Sequence, residues 1–137
     1  MDEELLAKAT ELADAGHPEA CAYLGKQYYF GWEIELDYAK ALKYLTVASE
    51  AGDGMSQFLL GYMYGSGRGV DHDLDAAYKW FLAAAENGIP EAMFNVGCML
   101  MKHDNEEDRA LGKEWIIKSA NAGYDAAIDT LDDFDDD

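Results

Sequence analysis

The chain has 137 residues, half of them hydrophobic, with nine tyrosines, three tryptophans and a formal charge of −18 from 28 acidic and 10 basic side chains. That share of apolar and aromatic residues excludes a disordered chain, and the length suits one domain burying roughly two-thirds of its unfolded surface. The acidity argues against a nucleic-acid surface, which needs clustered Lys and Arg, and against an anionic membrane; it allows a basic protein partner.

The opening stretch, MDEELLAKATELADAG, is acidic where a secretory signal would be basic, and no apolar run reaches the roughly 20 residues needed to span a bilayer. Leu5, Leu6, Ala9, Leu12 and Ala13 share one helical face, which predicts a helix over residues 2–15. From there a period takes over. Glycines stand at Gly16, Gly52, Gly88 and Gly123, steps of 36, 36 and 35, and again at Gly25, Gly61 and Gly97, 36 apart. A fixed period of this size predicts a solenoid, here a single repeat domain. Its parts are a capping helix (1–16), three repeats (17–52, 53–88 and 89–123) and a partial helix with an acidic tail (124–137).

Each repeat reads as helix, loop, helix, cap. In the middle one, Phe58, Leu59, Tyr62 and Met63 recur at helical spacing, and so do Ala77, Trp80, Phe81 and Ala84. Between them lies the glycine-rich GSGRGV; Asp73 and Asp75 mark the second helix start, and Asn87-Gly88 a left-handed stop. His17-Pro18-Glu19-Ala20 and Ile89-Pro90-Glu91-Ala92 place proline in the first helical turn. Small residues at matching positions (Ala20, Ser56, Ala92, Ala127 and the second glycine series) predict close helix approach. Tyr28, Tyr64 and Leu100, with Tyr44, Trp80 and Trp115, are the large side chains expected to fill the gaps. The stretch from Asp125 holds seven aspartates and no base; its apolar face is Ala126, Ala127, Ile128 and Leu131. The terminal DDFDDD is expected to end order as a solvated tail, with an acidic arm anchored by Phe134 as the sharper alternative.

These residues carry a resemblance. Leu60-Gly61, Tyr64, Gly67, Gly69-Val70, Asp73, Ala77, Trp80, Ala84-Ala85 and Gly88 look like the SEL-1-like repeat, a cousin of the tetratricopeptide repeat. The first repeat carries Ala20, Leu24-Gly25, Tyr28, Gly31, Asp37, Ala41, Tyr44 and Ala48, with Trp32-Glu33-Ile34 in its loop. The third departs, having Val96 before Gly97, Leu100 for tyrosine, Gly112 for alanine and a loop one residue shorter. The resemblance implies an all-α fold, a right-handed α/α solenoid, acting as an adaptor. Secreted members of that family carry a cysteine pair in each repeat. Here Cys21 and Cys98 occupy different offsets two units apart, too distant for a disulfide, so a cytoplasmic home is expected.

Chemistry finds little purchase. Asp71, Asp73 and Asp75 around His72 imitate a calcium loop, but Ala76 stands where glycine is required and Leu82 where the bidentate glutamate belongs. His17, His72 and His103 have no metal-ligand spacing. His17 and Cys21, four apart, lack an orienting third group, and a small buried cysteine is the better reading. Gly65, Gly67 and Gly69 follow no strand. No catalytic residue, metal or cofactor is expected.

What remains is surface. Positions three, seven and ten after each cap glycine carry no packing pattern and should face the concave side. They are Glu19, Tyr23 and Lys26, then Met55, Leu59 and Tyr62, then Glu91, Asn95 and Cys98. Tyr23, Lys26, Met55, Leu59, Tyr62 and Asn95 are therefore the candidate protein-binding residues. The expected function is capture of a basic protein or peptide; the alternative is an acidic immunity or antitoxin-type inhibitor that neutralises a basic toxin or enzyme. A monomer or weak dimer is expected, since Trp115, Ile116 and Ile117 depend on the final helix for cover.

Overall fold

A computed structural model describes residues 1–135, and among these the secondary structure is entirely helical. The helices are α1 (Glu3–Asp14), α2 (Pro18–Phe30), α3 (Tyr38–Glu50), α4 (Gly54–Ser66), α5 (Leu74–Glu86), α6 (Pro90–Met101), α7 (Glu106–Asn121) and α8 (Asp125–Asp135). Helices α2, α4, α6 and α8 are of the first type; α1, α3, α5 and α7 are of the second. Each packs on its neighbours along the chain, and α2 also touches α4, which makes an α/α solenoid.

Local chemistry sets the boundaries. The carboxylates of Asp37, Asp53 and Asp73 accept the backbone N–H three residues on, at 3.1, 3.0 and 3.1 Å, satisfying donors that a helix start leaves free. Pro18 and Pro90 begin α2 and α6, where a missing N–H costs nothing. The second-type helices stop at glycines in the left-handed region, φ +89 at Gly16, +98 at Gly52, +87 at Gly88 and +91 at Gly123.

The other glycine series is a matter of space. A Cβ on Gly25 would lie 2.6 Å from Leu45, on Gly61 2.7 Å from Phe81, and on Gly97 2.6 Å from Ile116. The side chains seated on the glycines are thus Leu45, Phe81 and Ile116, each one residue after the expected Tyr44, Trp80 and Trp115. Adjacent residues are about 100° apart around a helix, and only the later one points into the partner. Tyr44 instead stacks on Tyr28 (6.2 Å between centroids) and donates to Asp14 Oδ1 at 2.8 Å, tying α1 to α3. Trp80 and Trp115 lie half-buried beneath Lys79 and Lys118. Ile116 is fully buried, whereas Ile117 stays 39% exposed even with α8 in place.

The third repeat differs in its linker. Residues 102–105 join α6 to α7, against seven residues (31–37 and 67–73) in the earlier repeats. Asn105, accepting from Asp108 N–H at 2.8 Å, starts α7 about a turn early, and Glu106, Glu107 and Asp108 suit its positive end. Its α7 also carries Gly112 where Ala41 and Ala77 stand in α3 and α5. A Cβ there would meet Gly97 O at 2.7 Å, so glycine against glycine brings α6 and α7 together.

The acidic end also departs from expectation. Order does not stop at Asp132: α8 runs to Asp135, with Phe134 half-buried and Lys113 Nζ 5.7 Å from its ring centre. A cation over a partly exposed aromatic ring contributes about 0.5–1 kcal/mol toward holding this last turn. The last two aspartates of the expected tail lie outside the described residues.

Candidate interaction groove

The first-type helices present one continuous face, and two depressions open on it. The first, of about 660 Å³, lies along α2 and the start of α4; Glu19, Tyr23, Lys26, Gln27, Trp32 and Asp53 line it. The second, of about 420 Å³, lies among α4, α5 and α6, where Tyr62, Phe81, Phe94, Asn95, Cys98 and Lys102 meet.

Of the sequence-selected residues, Tyr23 and Lys26 fall in the first depression and Tyr62 and Asn95 in the second. Met55 is exposed on the same helix as Tyr62 and lines neither. Leu59 differs from expectation: it is 3% exposed and belongs to the core. Helix α4 packs against α3, α5 and α2. Residues Ser56–Gly61 and Met63 are all buried, so only the narrow strip of Met55, Tyr62 and Ser66 remains open.

Aromatic contacts stiffen the face. Tyr62, 41% exposed, meets Phe58 and Phe81 edge-on at 4.9 and 5.2 Å, and Phe94 packs against Tyr124 at 5.5 Å. At the far end of α2, Phe30 and Trp32 stack at 4.2 Å with planes 13° apart, and Trp32 is 53% exposed. The left-handed Gly31 (φ 70) ends α2, and the Trp32 N–H donates back to Gln27 O at 3.1 Å; Glu33 beyond it has φ 62, in the left-handed region that Gly69 (φ 70) fills one repeat later. Sequence reasoning passed over Trp32 as loop; an aromatic standing where the middle repeat has arginine was the available signal.

The electrostatics are mixed in detail. Lys26 Nζ reaches Asp53 Oδ2 at 3.5 Å. Burial works to raise the Asp53 carboxyl, but hydrogen bonds from Ser56 and the Lys26 charge outweigh it and hold Asp53 below the usual carboxylate range. Among the described residues Glu19 takes part in no ion pair. Two buried polar atoms lack hydrogen-bond partners at these depressions, the acceptor Gln27 Oε1 in the first and the donor Asn95 Nδ2 in the second.

Neither cysteine is poised as a thiolate. Cys21 is buried, its Sγ donates to Ala13 O at 3.3 Å, and burial pushes its thiol up, away from the thiolate. Cys98 is shifted the same way by burial. Asp73 is occupied as the cap of α5. Among the described residues no group of three or more His, Cys, Asp or Glu is placed to hold a metal, and no helix is long and apolar enough to cross a membrane.

A solenoid of helix pairs with an open first-helix face defines a class of helical repeat proteins. The Sel1 repeat family matches three times, over residues 18–53, 54–89 and 90–124, and the chain belongs to that family. Sel1 repeats are generally protein-interaction modules. Among solved structures, a Sel1 repeat protein from Oxalobacter formigenes is 34% identical with a TM-score of 0.79, covering 93% of this chain and 97% of that one. A protective antigen of uropathogenic Escherichia coli strains, which displays the same repeat fold, is 30% identical with a TM-score of 0.82 over 92% of this chain. The matched region is 27% of the antigen's length. The comparison with curated proteins gave no match.

Proposed function

We propose that the chain is a non-catalytic adaptor that captures a basic protein segment along the face formed by α2, α4 and α6. The observation that carries this reading is the row of exposed Tyr23, Trp32, Met55 and Tyr62 beside two open depressions, on a chain whose charge of −18 attracts cationic partners over a long range. Tyrosine and tryptophan in partly open depressions are the side chains that anchor protein interfaces. The two cysteines are free, which fits a reducing cytoplasm, and a monomer presents this face unobstructed.

Affinity capture tests it with a Tyr23→Arg, Tyr62→Arg variant. Both side chains are about 40% exposed, so the fold tolerates the change, as circular dichroism would verify; Leu59→Arg would bury a charge and unfold the core. Basic proteins held by wild type and released by the folded variant are the expected result. Equal retention by both would place binding elsewhere. The distributed acidity also favours a second reading, a stoichiometric inhibitor of a basic toxin or enzyme; a tight one-to-one complex that silences its partner would select it over the adaptor.

A further inference from the structure

Beyond the groove, at the edge where linkers join first-type to second-type helices, we propose that the third repeat holds a vacated seat for a short partner segment, in which a basic residue and a glycine precede a β-branched aliphatic one. The molecule supplies the precedent, because the two earlier repeats occupy the equivalent place with their own linkers. Leu6 and Tyr28 line a depression together with Ile34, from linker 31–37. In the second repeat Val70, from linker 67–73, is packed against the core along with Leu42 and Tyr64, the counterparts of Leu6 and Tyr28. Gly69 sits so close to the start of α3 that a Cβ would lie 2.8 Å from Tyr38, and the Arg68 guanidinium lies 5.9 Å from the Tyr38 ring centre.

The third repeat has the seat without the filling. Tyr78 and Leu100, the next counterparts in the series, line a depression of about 540 Å³ with Leu74 and Met99. Its linker, Lys102-His103-Asp104-Asn105, carries no aliphatic side chain and is tied to α7: His103 Nδ1 lies 2.8 Å from Asp108 Oδ2, and Asn105 caps the helix. Leu74, the counterpart of the half-buried Tyr38, is 56% exposed, more than any other large apolar side chain among the described residues. Covering these walls with an aliphatic side chain is favourable by the area it takes out of water. Charge selects what accompanies it. Asp75 and Asp108 line the seat, and Asp104, Glu106 and Glu107 stand in the linker and first turn of α7 beside it. Burial, then the charges of Asp108 and Glu86, push the Tyr78 phenol up, so the seat lies in a negative field. A second copy of this chain, at −18, is repelled from it, and a basic segment is drawn in. Leu74, Met99 and Lys102 also line the second groove depression, so one bound segment can run from the groove into the seat.

The test is an NMR titration of the ¹⁵N-labelled full chain with a blocked pentapeptide copying residues 66–70 (SGRGV), and with two controls, SGRGA and SGQGV. Saturable shifts of the Leu74, Tyr78 and His103 amides are expected, with none at Leu42 and Tyr64, where Val70 already sits. Loss of the valine methyls should weaken binding about ten-fold, and loss of the arginine charge a few fold. Leu74→Arg, an exposed change the fold tolerates, should abolish the response. Replacing residues 103–108 by the sequence of residues 67–73 should do the same by filling the seat from within. The Tyr23→Arg, Tyr62→Arg variant should bind the pentapeptide as wild type does, so failure of the seat and failure of groove capture are read separately. Equal affinity for SGRGV and SGRGA, shifts at Leu42 matching those at Leu74, or shifts confined to Tyr62 and Asn95 would overturn the seat. Concentration-dependent shifts of the same amides without peptide would assign it to a second copy and overturn the proposal as well.

Discussion

The two glycine series are the same residue used for different ends. Gly16, Gly52, Gly88 and Gly123 meet nothing within 4 Å and serve their backbone angle; Gly25, Gly61 and Gly97 serve contact. The second group allows a graded prediction. Gly61→Ala sets a methyl against the Phe81 ring, which can swing aside in part, whereas Gly97→Ala sets one 2.7 Å from the backbone oxygen of Gly112, which cannot. After the roughly 1 kcal/mol that alanine returns in helix propensity, we expect a net loss of about 1 kcal/mol for Gly61→Ala and about 2 for Gly97→Ala. Urea titration would measure both, and a reversed order would refute the packing account. Tyr44 supplies a pH signature. Burial, then its hydrogen bond to Asp14, push its phenol up to about 12 from 10. With the folded value raised, its contribution is whole below pH 10 and is lost as pH climbs toward 12. Asp14 is lowered, chiefly by the Tyr44 hydrogen bond and then by Lys43, so its share is present above the unfolded value near 4 and lost on acidification through the folded one. Tyr44→Phe should therefore flatten the fall in Tm between pH 10 and 12, and an unchanged slope would count against this assignment.

Among the elements, the second-type helices were the most legible in the sequence, because an aspartate or asparagine start and a glycine stop are chemical signals independent of tertiary context. Legibility failed where two neighbours compete for one slot. Tyr44 and Leu45, and their counterparts 36 residues on, are both large, apolar and in period, so spacing could not say which one covers the glycine. Leu59 was misplaced because the offset that leaves Tyr23 open on α2 is packed inward on α4, where Ser56 to Gly61 are all buried. The extra turn of α7 was hidden because Asp108 aligns with the start residue Asp73, while the stronger start, Asn105, lies three residues earlier. Trp32 was missed because loop conformation, not periodicity, brings it to the groove. Helix α8 permits a test at this scale. Ala127 is fully buried and Tyr124 packs on Phe94, so ending the chain after Gly123 uncovers the α6–α7 face. A loss of roughly 2–3 kcal/mol is expected, with self-association in sedimentation velocity. A truncated chain that is monomeric and equally stable would show that α8 is dispensable.

At the scale of the whole molecule, charge dominates. With 28 carboxylates against 10 bases, the folded body repels itself, and the Debye length of ~30 Å at 10 mM salt lets that repulsion act across several helices. Raising sodium chloride from about 10 to about 150 mM shortens that length to ~8 Å and should lift Tm by roughly 3–5 °C at pH 7. A flat or falling Tm would mean that local ion pairs such as Lys26–Asp53 outweigh the general repulsion. The same salt should weaken capture of a basic partner, so stability and affinity are expected to move in opposite directions.

The neighbour-only packing has a mechanical corollary. Among the described residues the main element contacts join neighbours along the chain, so the ends are connected through a series of packed junctions, three of them built on a glycine seat (α2–α3, α4–α5 and α6–α7). Joints in series add their compliances. A fraction of a degree at each becomes a visible change in curvature across eight helices, while every individual core contact is nearly unchanged. The distance between the Trp32 and Asn95 depressions is thus expected to adjust at little cost, as a spring fits itself to the spacing of what it holds.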